Sequence, residues 1–191
     1  RDCRVIGVEP DDRMRQVLAS REGIADTFAG SAEALPLPDS SADLIAGAQM
    51  WHWVDPSRAV PEIARVLRPG GVLAIVWSLR DDNEPWLKAR EQVVELPDSY
   101  KWFRKNDIPV LAKPFGAMDL QEFAFTQTST PEGLVGLVGT FSHVALSDRR
   151  DKIEADVREL TQTHPDLAGK DTFEVPYVCK VFTVRKPAAD L

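Results

Sequence analysis

A chain of 191 residues, 43% apolar and 28% charged, has the size and composition of one soluble globular domain. Its 30 acidic side chains outnumber 23 basic ones, giving a net charge of -7; this removes the attraction behind non-specific nucleic-acid binding and argues against DNA, RNA and anionic membranes as partners. No apolar run is long enough to cross a bilayer, no signal-peptide pattern opens the chain, and Cys3 and Cys179 have no metal-type spacing, so the expectation is a cytoplasmic protein without a metal site.

The chain opens on Arg1-Asp2-Cys3 with no initiator Met and enters a strand almost at once, which reads as a fragment. Arg4 to Val8 is a short β-branched strand stopped by Glu9-Pro10-Asp11-Asp12, whose acids suit a helix start, and Met14, Val17 and Leu18 follow at helical spacing. Ala25 to Ala29 is a second, weaker strand; Pro36 and Pro38 then forbid a long helix. Asp43 to Ala48 predicts a third strand. Val60, Ile63, Ala64 and Leu67 form a helical stripe that ends at Arg68-Pro69-Gly70-Gly71, with Pro61 expected to confine the regular helix to the residues after it or to kink it. Val72 to Trp77 is a continuous apolar run of the kind a doubly covered parallel strand needs.

Residues 80–118 break this rhythm. They are polar and irregular, yet they carry Trp86, Leu87, Val93, Val94, Tyr100, Trp102 and Phe103, which argues for a lid or a substrate insert over a disordered linker. Beyond them Phe123 to Thr130 alternates as a strand, Glu132 to Gly139 and Asp148 to Thr163 predict helices, and Tyr177 to Val184 predicts a closing strand. Strands alternating with helices across short turns imply an α/β fold with a mostly parallel sheet. We read the chain as one domain, with 1–79 as the cofactor-binding half, 80–118 as the insert and 119–191 as C-terminal strands and helices.

An acid at the end of a strand, such as Glu9, is placed to accept hydrogen bonds from both hydroxyls of a ribose, or else is a solvated acid at a helix start. Context adds to the first reading. Val5-Ile6-Gly7-Val8-Glu9-Pro10, then Gly30-Ser31-Ala32-Glu33-Ala34-Leu35-Pro36-Leu37, then Asp43-Leu44-Ile45 leading to Ala48-Gln49-Met50-Trp51-His52-Trp53, then Glu62-Ile63-Ala64-Arg65-Val66-Leu67-Arg68-Pro69-Gly70-Gly71 stand in one order and spacing. In these four segments the chain resembles the class I S-adenosylmethionine-dependent methyltransferase family, in its small-molecule, type 11-like branch.

The resemblance implies a Rossmann-like, mostly parallel sheet with an antiparallel last strand, and S-adenosyl-L-methionine as cofactor. It implies that Glu9 binds the ribose hydroxyls, that Pro10 and Met14 pack near the adenine, that Ser31, Ala32 and Glu33 line its other side, and that Ala48 and Gln49 face the methionine part. Many relatives carry Asp where this chain has Ser31, and a hydroxyl is a weaker partner for the adenine amino group. The family's first strand and glycine-rich turn precede the acidic strand and are absent here. The expectation is therefore a class I fold lacking its first βα unit, about 30 or more residues, with the Arg4 and Asp43 strands left without their common neighbour.

The segment Trp51-His52-Trp53-Val54-Asp55-Pro56 follows the strand whose tip faces the transferable methyl group in related enzymes. His52 is a candidate general base for a substrate hydroxyl, or a wall residue bonded to main chain. Trp51 and Trp53 suit the wall of a sulfonium site, or plain core packing. Trp86 and Trp102, in the insert, are candidates for an apolar acceptor pocket or for a hydrophobic cluster under a long loop. The expected reaction is methyl transfer to an oxygen of a small-molecule acceptor. Between Ala46 and Trp53 there is no Asn/Asp-Pro-Pro-Tyr/Phe signature of amino-methylating nucleic-acid enzymes. Two alternatives stay open: a nicotinamide-dependent oxidoreductase, although the chain has no Tyr-x-x-x-Lys pair to support it, and a non-catalytic relative that kept the fold.

Overall fold

The computed structural model describes residues 3–80, 83–95 and 111–188. It has two compact units, Arg1–Val76 with Ile108–Leu120 and Val181–Leu191, and Trp77–Asp107 with Gln121–Lys180.

In the first unit, β1 (Val5–Val8) pairs in parallel with β2 (Ile24–Phe28), Val8 standing opposite Phe28. The crossover between them is α1 (Asp12–Ala19). Asp11 caps it, its carboxylate accepting the N–H groups of Arg13 and Met14 at 2.9 and 3.0 Å. The helix lies close on β1 because position 7 is glycine: an added Cβ there would come within 2.4 Å of Leu18 Cδ2.

The next crossover joins β3 (Ala42–Ala48) to β4 (Leu67–Arg80), again in parallel, with Leu44 opposite Val72 and Ala48 opposite Val76. Its helix, α2, spans Pro56–Val66. The regular helix is not confined to the residues after Pro61, one of the two outcomes expected from sequence; it runs through that residue. Pro56 occupies the first turn, where a missing N–H costs nothing, Asp55 caps the helix through the Ser57 N–H, and the fully buried Ala59 and Val60 anchor the turn ahead of Pro61. The second difference is at the other end. The helix stops at Val66 and β4 already begins at Leu67, which pairs with Ala42, so Pro69-Gly70-Gly71 lies inside the strand rather than in a turn. A register shift between Ala42 and Leu44 and a left-handed Gly70, φ 78°, absorb the proline.

The second unit holds α3 (Pro85–Val94), most of β5 (Asp119–Ser129), α4 (Pro131–Gly139), α5 (Ser142–Ala145), α6 (Arg150–Thr163) and the first part of β6 (Phe173–Arg185). The α3 helix corrects the view of 80–118 as irregular. It starts on Pro85 and buries Trp86, Leu87, Arg90 and Val94 along one face. That face joins Leu134, Val138, Val157, Leu167 and Phe173 in one core, where Trp86 meets the Phe173 ring edge-on at 5.4 Å.

The strand order is β1-β2 in one sheet and β3-β4-β6-β5 in the other. The last strand is antiparallel. Lys180 meets Glu122 at 3.1 Å, Tyr177 stacks on Phe125 and Glu174 meets Thr128 at 2.6 Å, so the numbers rise on β5 as they fall on β6. On the β4 side, the Gly70 N–H donates to the Lys186 carbonyl at 3.0 Å and the Lys186 N–H to that of Gly71 at 2.8 Å, again with opposite directions.

Candidate cofactor and acceptor site

Two parallel strands end side by side at Val8 and Phe28, and Glu9 is the first residue beyond β1. Its N–H donates to the Phe28 carbonyl at 3.1 Å, its Oε1 accepts the Asp11 N–H at 3.0 Å, and its own carbonyl accepts from Arg15 Nη1 at 3.0 Å. Main chain and side chain are thus both fixed at the carboxyl edge, where doubly wound folds bind nucleosides. Pro10 follows, and Met14 lines an open depression of about 480 Å³ with Asp11, Arg13 and Val17.

The turn after β2 closes by reciprocal main-chain bonds between Ser31 and Ala34, at 3.3 and 3.1 Å. Glu33 reaches out of it, Oε1 accepting the Asp55 N–H at 2.9 Å. Burial opposes the Glu33 charge, but the Asp55 N–H, the Ser31 hydroxyl and its own amide outweigh it and hold the carboxyl below the usual range. This one carboxylate ties the adenine-side turn predicted at 31–33 to the segment after Trp53. The following residues are held by a pair with no role assigned from the sequence. Glu62 accepts the Leu35 N–H at 2.8 Å, and Arg65 donates to the carbonyls of Leu35 and Leu37, to Asp39 and to both oxygens of Glu62, at 2.6 to 3.0 Å. The Arg65 guanidinium holds the Glu62 carboxyl low, with the Leu35 N–H adding to the effect. The i,i+3 Glu-x-x-Arg spacing on a predicted helix was the available signal.

Ala48 ends β3, and Gln49 turns the chain with φ 55°, left-handed backbone that a non-glycine residue adopts at a cost and that recurs at functional turns. The Gln49 N–H donates to the Val76 carbonyl at 3.0 Å, and Met50 folds back so closely that a Cβ on Gly47 would stand 2.8 Å from its sulfur. Trp51 to Trp53 form one turn of 3-10 helix. Trp51 is buried, Trp53 is 70% exposed, and His52 between them lies 4.8 Å from the Trp53 ring, centroid to centroid. Burial pushes the His52 imidazole below its ordinary pKa, so it is neutral at pH 7, the form a proton acceptor requires.

The first unit therefore brings Glu9, Pro10 and Met14 to the end of β1, Ser31, Ala32 and Glu33 to the turn after β2, and Ala48, Gln49, Trp51, His52 and Trp53 to the end of β3. Trp86 sits in the core of the second unit, 3% exposed. Trp102 lies outside the described residues. Among the described residues no group of His, Cys, Asp and Glu is disposed to hold a metal ion, and no helix is long and apolar enough to cross a membrane.

A parallel α/β sheet with an acid at a strand tip and an antiparallel closing strand defines a Rossmann-like domain of the class I methyltransferase type. Comparison with known proteins makes the class specific. Residues 1–75 match the family model described as a methyltransferase domain. The chain is 38% identical to the uncharacterised methyltransferase Rv3342 of Mycobacterium tuberculosis over 182 residues, covering 93% of this chain and 72% of that protein. It is 31% identical over 192 residues to the uncharacterised methyltransferase-like C25B8.10 of Schizosaccharomyces pombe, covering 97% and 74%. Among solved structures, a candidate type II methyltransferase of Anaeromyxobacter dehalogenans has the same fold, with a TM-score of 0.70 at 21% identity over 97% of this chain and 81% of that one. The chain belongs to the methyltransferase family and is an S-adenosylmethionine-dependent methyltransferase. The nicotinamide alternative is set aside by that membership.

Proposed function

We propose that the chain binds S-adenosyl-L-methionine at the carboxyl edge of its first unit and transfers the methyl group to an oxygen of a small-molecule acceptor in the cytoplasm. The observation that carries this reading is the Glu9 carboxylate, fixed at the open end of two parallel strands and able to accept from paired ribose hydroxyls. The residues present fit the nucleoside half of the cofactor. Pro10 and Met14 offer apolar surface to an adenine, Ser31, Ala32 and Glu33 stand on its other side, and Ala48 and Gln49 lead toward the methionine part.

Bound there, the cofactor would supply an electrophilic methyl on a sulfonium, which an acceptor oxygen would displace with the neutral thioether as leaving group. The chain's own residues have little covalent chemistry to do. They position the two reactants and keep water out, which accounts for most of the rate in such transfers. Trp51 and Trp53 supply aromatic surface beside the positive charge, and neutral His52 takes the proton where the acceptor is a hydroxyl. A carboxylate acceptor needs no base. The net charge of -7 supports a small molecule over a nucleic acid.

The test is transfer of labelled methyl to a panel of small acids and phenols, alongside calorimetry with S-adenosylhomocysteine. Glu9→Gln is expected to weaken S-adenosylhomocysteine roughly tenfold to a hundredfold, as loss of a charged hydrogen-bond acceptor does. His52→Ala is expected to cut turnover of a hydroxyl acceptor and leave cofactor affinity nearly unchanged. Cofactor affinity that is indifferent to Glu9→Gln removes the ribose assignment; equal turnover in His52→Ala removes the base.

A further inference from the structure

Among the described residues, the outer strand of the four-stranded sheet, β5, has a strand on one side only. Every residue of β5 from 121 to 128 is exposed. Sheet edges in natural proteins are blunted by lysine, proline, a bulge or a covering helix, because a row of free N–H and C=O groups is a template for another strand. Residues 123–129, Phe-Ala-Phe-Thr-Gln-Thr-Ser, contain no charge, no proline and no glycine. Four of the seven, Phe123, Phe125, Thr126 and Thr128, are aromatic or β-branched residues that favour pairing. Phe123 and Phe125 lie on one face and are 53% and 43% exposed. Phe125 is already held flat on Tyr177, centroids 5.1 Å apart and planes within 9°, so a partner ring would meet a surface with little freedom left to lose.

We propose that β5 pairs with β5 of a second copy of this chain, antiparallel and centred on Ala124, to give one continuous sheet across a two-fold axis. The sequence is self-complementary in that register. Phe123 of each copy stands opposite Phe125 of the other, so four phenyl rings gather on one face, with a Tyr177 ring stacked on each Phe125. The two acids of the strand fall opposite hydroxyls: Glu122 faces Thr126 and Asp119 faces Ser129. An in-register parallel pair would set Glu122 against Glu122 and Asp119 against Asp119, which is unfavourable for charges directly opposite. Glu122 is moreover engaged by Lys180 across the β5–β6 pair at 3.1 Å, so its carboxylate is already balanced on the opposite face from the rings.

Sedimentation equilibrium of the full chain tests this. The wild type is expected at twice the chain mass as concentration rises from micromolar to near-millimolar. Phe123→Lys, a change at an exposed side chain, is expected to weaken association at least tenfold with an unchanged far-ultraviolet circular dichroism spectrum. For the register, Cys3 and Cys179 are replaced by serine and a single cysteine is introduced. Ala124→Cys is expected to form an intermolecular disulfide on mild oxidation, because directly opposed residues are close enough to bridge. Thr126→Cys, whose copies stand four residues apart, is expected not to do so. A wild type that stays monomeric, a dimer that survives Phe123→Lys, or a Thr126→Cys that cross-links as readily as Ala124→Cys overturns the proposal.

Discussion

Helices α1 and α2 do the same topological job and are packed very differently. Each leaves a strand, crosses over and delivers the chain to a parallel neighbour, and each is capped by an aspartate. Yet α2 buries Ala59, Val60, Ile63, Ala64 and Val66, while α1 buries none of its residues, leaving Met14 and Val17 more than half exposed. The difference comes from what lies beneath. Among the described residues, α2 belongs to a crossover into β4, an inner strand of a four-stranded sheet, whereas α1 belongs to the crossover of a two-stranded one, which offers a helix face less surface. An amphipathic pattern announces which side of a helix is apolar. It does not say whether anything is there to receive it.

The contrast has a direct mutational form. Ile63→Ala is expected to cost about 2–5 kcal/mol of unfolding free energy, the usual loss for emptying a well-packed aliphatic site, and Val17→Ala no more than about 0.5 kcal/mol. Urea unfolding followed by circular dichroism reads both; equal costs would mean that α1 is packed in solution as firmly as α2. A smaller effect is expected where α2 grips the loop ahead of β3. Arg65→Gln removes the donor that spans Leu35, Leu37 and Asp39, and should speed hydrogen exchange at the Leu35 and Ser40 amides roughly tenfold. Amides in α1 should not respond, which localises the grip to α2.

The smallest effect is a pH dependence. Burial lowers the pKa of both His52 and His143, so the unfolded chain binds more protons than the folded one once pH falls below the ordinary histidine value of 6.5. Stability from the two neutral rings is therefore full above pH 6.5 and is lost as pH drops through their folded values. Thermal midpoints between pH 7 and 5 should fall in the wild type and fall less in a His52→Gln, His143→Gln double variant. Carboxylates such as Glu62, held below their usual range, contribute their own loss only at lower pH, below about 4.5.

Much of this was legible in the residues. The β-branched run ending in Glu9, the stripe from Val60 to Leu67 and the apolar run at 72–77 located strands, helix and order, because each signal is local and strong. Three readings failed for physical reasons. Pro61 was expected to confine α2 to the residues after it or to kink it, and the first of these is overruled by a good cap and two buried residues. Pro69-Gly70-Gly71 looked like a turn but lies within β4, because a strand can carry proline at its irregular beginning. And α3 was hidden because Arg90 occupies its buried face, so the spacing of Trp86, Leu87 and Val94 lost one apolar member. The scaffold around the candidate site was not legible: the bonds from Glu33 to the Asp55 N–H and from Arg65 to the carbonyls of Leu35 and Leu37 and the carboxylate of Asp39 join positions more than 20 residues apart, which no local pattern encodes.

One bond near the end of the chain bears on how the protein is made. The ammonium of Lys186 donates to the carbonyls of Ala64 and Leu67 at 2.7 Å each, closing the C-terminal end of α2 with a residue more than a hundred positions downstream. A ribosome that has released the first half of this sequence has made a helix whose final turn still lacks its cation and a strand, β4, whose inner neighbour is untranslated. The emerging polypeptide holds an incomplete sheet until residue 186 has been made, which makes the interval between the synthesis of β4 and that of residue 186 a time of need for a chaperone.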